Sequence, residues 1–60
     1  MTIPKDPFML LSFMNMQLRD NYSSLAEMVR ANDLDQAEIE EKLKNAGYQY
    51  DEALNQFKPL

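Results

Sequence analysis

Hydrophobic side chains recur at helical spacing through most of this chain, and the rhythm changes only near its C-terminus. From Phe8 to Leu18 the run is nearly continuous, broken by Ser12, Asn15, Gln17 and little else. Projected at ~100° per residue, the polar Ser12, Asn15 and Arg19 fall on one narrow stripe. Phe8, Met9, Leu10, Leu11, Phe13, Met14, Met16 and Leu18 sweep roughly 220° of the circumference, where a surface helix needs only ~100° or somewhat more. Just upstream, Pro4-Lys5-Asp6-Pro7 is a helix entry. Asp6 caps the first free amides, and Pro7 at the first helical position loses nothing by lacking its N–H. A first helix is expected over about residues 7 to 20.

Asn21-Tyr22-Ser23 interrupts the pattern, and Ser24-Leu25-Ala26-Glu27 has the spacing of a capping box, Ser24 capping and Glu27 reaching back. A short second helix follows, about 24 to 31, with Leu25, Met28 and Val29 inward. Beyond Asn32-Asp33-Leu34, the start signal recurs as Asp35-Gln36-Ala37-Glu38. The third helix runs to about Ala46, with Ile39, Leu43 and Ala46 as its inner stripe and Gly47 as a left-handed stop. Residues 48 to 57 support two readings. Tyr48 and Tyr50 alternate with a polar residue, and Asn55 tolerates a left-handed position, which favours a hairpin returning through Phe57. Alternatively, Asp51 caps a short fourth helix through Leu54, although two turns gain little alone. The fold class expected is mainly α: one compact three-helix domain over residues 1–60, helix-turn-helix-like, with a C-terminal β-hairpin or a fourth short helix.

Composition narrows the chemistry. A chain of 60 residues without cysteine or histidine has no disulfide and lacks the usual ligands of zinc, iron–sulfur and haem sites. At this size only ~60% of the unfolded chain's surface is buried on folding, so stability rests on apolar packing, helix caps or self-association. The apolar run is too short for a bilayer span and has no basic stretch before it, so neither a transmembrane segment nor a cleavable leader is expected. A cytoplasmic protein is the default. The formal charge of −4 disfavours a polyanion as partner.

The segments Pro4-Lys5-Asp6-Pro7, Met9-Leu10-Leu11-Ser12, Leu18-Arg19-Asp20, Ser24-Leu25, Gly47-Tyr48, Tyr50-Asp51 and Asn55-Gln56-Phe57 together resemble short bacterial proteins grouped as domain-of-unknown-function family 4250. The resemblance spans nearly the whole chain and implies a free-standing bacterial domain. It carries no activity, substrate or partner with it. Gly47-Tyr48 followed by Asp51-Glu52-Ala53-Leu54 is also loosely similar to the loop and last helix of ubiquitin-associated domains.

Several candidate sites can be weighed. The second and third helices followed by a hairpin have the order of a winged helix-turn-helix, with residues 36 to 46 as recognition helix and Glu38, Glu41, Lys42 and Asn45 outward. Carboxylates repel phosphates, and Glu38–Lys42 and Glu40–Lys44 are spaced to pair within the helix. A degenerate winged helix binding nucleic acid is therefore the alternative reading. Asp33-Leu34-Asp35 fails as a calcium loop, because the places for an oxygen ligand, glycine and glutamate hold Ala37, Glu38 and Lys44. Ser12, Ser23 and Ser24 have no histidine base, and Gly47 as the only glycine precludes a phosphate loop. No enzyme activity, cofactor, metal or small-molecule substrate is expected. The wide arc of the first helix is met by central burial, or by leaving part of it exposed, with Met9, Phe13 and Met16 as the candidate apolar contact surface. The expected role is protein interaction or self-association, through a protein partner or a homodimer.

Overall fold

Asp6 starts the first helix as expected: its carboxylate accepts the amides of Phe8 at 2.8 Å and Met9 at 3.1 Å, and Pro7 occupies the first helical position. In this computed structural model, which describes residues 3–60, helix α1 spans Pro7–Asp20, α2 Leu25–Ala31 and α3 Gln36–Asn45. Strands β1 (Tyr48–Asp51) and β2 (Gln56–Pro59) form an antiparallel hairpin. Three helices and a C-terminal hairpin are thus the architecture formed. The expected domain bounds of 1–60 include residues 1 and 2, which lie outside the described residues.

Each helix carries its own boundary signals. Ser24 Oγ accepts the Glu27 amide at 3.0 Å, and Asp35 accepts the Glu38 amide at 3.2 Å. The reciprocal half of the capping box at Ser24 is not made. Glu27 instead accepts the Ser23 hydroxyl at 2.7 Å, a donor one turn back on its own side of the helix. At the end of α2, the Leu34 amide returns to the Val29 carbonyl at 2.8 Å and the Asp33 amide to Arg30 at 3.4 Å. That is the Schellman pattern, with Asp33 at φ 54° where glycine is usual. Gly47, at φ 94°, ends α3 with its amide on the Lys44 carbonyl. Ala46, expected on the inner stripe, lies past the last helical residue as the C-cap and is half-buried.

The C-terminal segment resolves in favour of the hairpin. Asp51 does accept an amide three residues on, from Leu54 at 3.2 Å, as a helix cap would. The turn closes after one cycle, with the Asn55 amide on the Glu52 carbonyl and Asn55 itself at φ 52°. A left-handed residue reverses the chain, so no second helical turn follows. Tyr50 pairs with Phe57 and Tyr48 with Pro59, and the Leu60 amide bonds the Gly47 carbonyl one step beyond.

The core is built around α1, which meets α2, α3 and β2. Leu10, Met14 and Leu18 are its buried stripe, packed with Leu25, Met28 and Val29 of α2, Ile39 and Leu43 of α3, and Phe57 of β2. Tyr48, Tyr50 and Leu34 close the margins. Among the described residues, no helix is long and apolar enough to cross a membrane.

Candidate functional site

Three sides of α1 have different fates. Its core side is buried at Leu10 and Met14 and nearly so at Leu18. The adjoining side, through Leu11 and Asn15, faces the hairpin. Asn15 belongs to the polar stripe read from the sequence, yet its amide holds both backbone groups of Phe57: Oδ1 accepts the Phe57 N–H at 2.7 Å, and Nδ2 donates to the Phe57 carbonyl at 3.1 Å. This side chain does for β2 what a neighbouring strand would do. Pro59 has no N–H to offer on that edge, so the outer edge of β2 is closed by Asn15 and by proline.

The outer side of α1 is open. Met9 is 64% exposed and Met16 42%, and Ser12 and Arg19 are exposed beside them. Met9 and Met16 stand seven residues apart, which returns a helix to within ~20° of the same azimuth. Phe13 is half-buried between them and packs against the core. The three candidate contact residues therefore share one flank, two in solvent and one as its floor. Leu54, at the hairpin turn and 60% exposed, faces Met16 across a cleft of about 620 Å³ between α1 and the turn. Leu11, Ser12, Asn15, Arg19 and Asn55 are among its other lining residues. Phe8, the exposed aromatic of α1, meets Tyr48 edge-on with ring centres 6.5 Å apart.

The cleft floor is fixed by asparagine chemistry. Asn55 Nδ2 donates to the carbonyls of Leu18 and Tyr22, both at 3.0 Å, while its Oδ1 accepts the Tyr50 hydroxyl at 2.6 Å. The Tyr50 oxygen in turn accepts the Leu25 amide at 3.2 Å. One asparagine thus ties the end of α1, the hairpin and the start of α2 together. Reading the sequence missed Asn15 and Tyr50 as tertiary partners and placed Asn55 only as a turn residue. No local signal marks Asn15, which shares its polar stripe with Ser12 and Arg19.

Charge is sparse around the cleft. Arg19 and Asp20 pair at 2.9 Å in full solvent, which raises the arginine pKa and lowers that of the carboxylate through their hydrogen bond. Lys58 holds Asp51 at 2.8 Å across the hairpin. On α3, neither Glu38–Lys42 nor Glu40–Lys44 closes to ion-pair distance. The ion pairs formed are Arg19–Asp20 and Lys58–Asp51, and an i, i+4 pair on a helix surface gains only ~0.2–0.5 kcal/mol. Glu38, Glu41, Lys42 and Asn45 do share the outer face of α3, around a shallow depression of about 250 Å³. Asp33 and Asp35 act as helix boundary residues, and among the described residues no group of three acidic side chains gathers to hold a metal ion.

No curated protein and no solved structure matches the chain. The motif residues nonetheless have clear places in the fold: Asp6 and Ser24 as caps, Gly47 as a helix stop, and Tyr50, Asn55 and Phe57 as the fastening of the hairpin. The sequence profile described as Domain of unknown function (DUF4250) matches residues 4–57, from the helix entry to the residue that Asn15 grips, and the chain belongs to that family.

Proposed function

We propose that this domain is a cytoplasmic protein-contact module that docks through the outer flank of α1, with Met9 and Met16 as anchors and Phe13 as the floor between them. A single exposed apolar residue is ordinary on any surface. What supports the reading is the alignment of two exposed methionines on one flank of the central helix, with exposed Leu54 across the adjoining cleft. Methionine is unbranched and polarizable and adapts to irregular partners. The role is contact rather than catalysis, in keeping with a sequence that has neither histidine nor cysteine.

The winged-helix alternative finds less support. The outer face of α3 carries Glu38, Glu40 and Glu41 against Lys42 and Lys44, on a chain of formal charge −4. Phosphate binding depends on cations and weakens steeply with salt. A gel shift with mixed DNA is expected to show no complex even at low salt.

The direct test places a photo-crosslinking amino acid at position 16 in the source cell, with the same substitution at Glu41 as control. Adducts of defined mass are expected from position 16 alone, and Met9→Glu is expected to abolish them. No adducts, or equal adducts from Glu41, would remove the contact role.

A further inference from the structure

We infer that the outer edge of β1 is a separate docking site, which takes an extended peptide segment of another protein as an added antiparallel strand. The hairpin register fixes which main-chain groups face outward. Phe57 turns its N–H and carbonyl to Asn15 on α1, so Tyr50 and Phe57 form a pair that exchanges no main-chain bonds. The Leu60 amide on the Gly47 carbonyl has the opposite parity, as an alternating antiparallel ladder requires. Tyr48 and Tyr50 therefore direct their N–H and carbonyl groups away from β2. Among the described residues, no hydrogen bond reaches any of these four groups, and the bonds of Tyr50 run through its hydroxyl. The two edges of the hairpin are thus unlike: β2 is closed by Asn15 and Pro59, whereas β1 holds no proline and no side chain grips its main chain. Such an edge is a template for a further strand.

The open groups also state the chemistry of the occupant. Two donor–acceptor pairs, two residues apart on an extended chain, are matched by another extended main chain, which offers a complementary pair at every second residue. There is room beside them. A depression of about 300 Å³ lies between α3 and β1, lined by Glu40 and Lys44 from the helix, by Tyr48, Gln49 and Tyr50 from the strand, and by Phe57. Partner residues paired with Tyr48 and Tyr50 carry their side chains on the same face as those rings, the face turned to the core and α3. Glu40 and Lys44 are exposed there, and among the described residues neither has an ion-pair partner. The segment that fits therefore carries a basic and an acidic residue two positions apart. A second copy of the chain fits less well, because its own β1 has an α3 beside the same edge, whereas a free segment brings only side chains.

The test selects a displayed library of random heptapeptides on the full chain and follows the enriched peptides by amide exchange. Binding is expected to slow exchange at the Tyr48 and Tyr50 amides. N-methylation of the peptide is expected to abolish binding at the two alternate residues that face β1 and to be tolerated at the residue between them, which no side-chain contact would reproduce. A synthetic full chain methylated on the Tyr50 amide nitrogen keeps the ring and hydroxyl, and is expected to bind the same peptides about tenfold or more weakly. Should that chain fail to fold, the scan of the peptide still decides. No enriched peptide, enriched peptides that leave Tyr48 and Tyr50 exchanging freely, or a methylation scan without alternation would overturn the inference. Slowing of the same two amides by protein concentration alone would overturn it in favour of a second copy. Crosslinks from position 16 report on the α1 flank independently, so either surface can fail without the other.

Discussion

Asn15 grips Phe57 by both of its main-chain polar groups, forty-two positions away in sequence. Among the described residues no other side chain bonds the main chain of Phe57, and Phe57 is only 3% exposed. Asn15→Ala leaves a part-buried donor and acceptor without partners, which costs about 1–3 kcal/mol each way such groups have been measured. In a domain this small, each kcal/mol is worth roughly 4–8 °C in Tm. The variant is expected to unfold cooperatively at a clearly lower temperature. Asn15→Leu, of similar volume, is expected to do no better, because bulk does not replace the two hydrogen bonds. Thermal denaturation followed by circular dichroism checks both, and a wild-type melting curve for either would refute the assignment.

Asp33 and Asn55 both sit in the left-handed region, at φ 54° and φ 52°, but for different reasons. Asp33 ends α2 by backbone geometry alone, and its side chain is exposed. Asn55 uses its side chain to hold Leu18, Tyr22 and Tyr50. Glycine relieves the left-handed strain at either site, against an unfolded-state entropy cost of about 0.4–1 kcal/mol. Asp33→Gly is therefore expected to match or exceed wild-type stability, whereas Asn55→Gly is expected to fall well below it. Urea unfolding of the two variants side by side decides the matter, and similar midpoints would contradict the role given to the Asn55 amide.

These two positions also show what sequence reading reaches. Local signals were legible because their physics is local: Asp6, Ser24 and Asp35 each satisfy an amide two or three residues away, and Gly47 stops α3 through its own φ. Periodicity placed Leu25, Met28, Val29, Ile39 and Leu43 in the core, but within the wide apolar arc of α1 it did not separate the buried Leu10, Met14 and Leu18 from the rest. The pairing of Asn15 with Phe57 was not legible, since an asparagine on a helix has the same pattern whether it meets water or a strand edge. Asp51 left a short fourth helix open beside the favoured hairpin for a related reason: one capped turn looks the same at the start of a helix and at the corner of a hairpin. On the outer flank of α1, periodicity placed Met9, Phe13 and Met16 together, but only the packing of the hairpin and α3 determines which of them is covered.

Tyr50 links two elements through its hydroxyl, accepting the Leu25 amide at the start of α2 and donating to Asn55. Its ring lies 5.5 Å from that of Phe57 and remains packed in a phenylalanine variant. Tyr50→Phe thus isolates the two hydrogen bonds, which are expected to contribute about 1–3 kcal/mol together. Amide exchange at Leu25 is expected to accelerate more than at Met28, deeper in the helix. Unchanged exchange at Leu25 would mean that Ser24 alone secures the start of α2.

Asp51 predicts the response of the fold to acid. Its pKa lies below the ordinary 3.8, chiefly because of the hydrogen bond from Lys58 and then because the Leu54 amide also favours the carboxylate. A carboxylate with a depressed folded-state pKa contributes stability that is present above its unfolded value and is lost as pH falls through the folded one. The hairpin is therefore expected to be unaffected between neutral pH and the ordinary carboxylate range, and to loosen below it. Asp51→Asn keeps an oxygen for the Leu54 amide and removes the charge, so its stability should vary less with pH across that acid window. Lys58→Met should raise the Asp51 midpoint toward the ordinary value, as read from the side-chain carboxyl resonance. A midpoint that ignores the loss of Lys58 would show that the turn amides, rather than the ion pair, hold the carboxylate in its charged form.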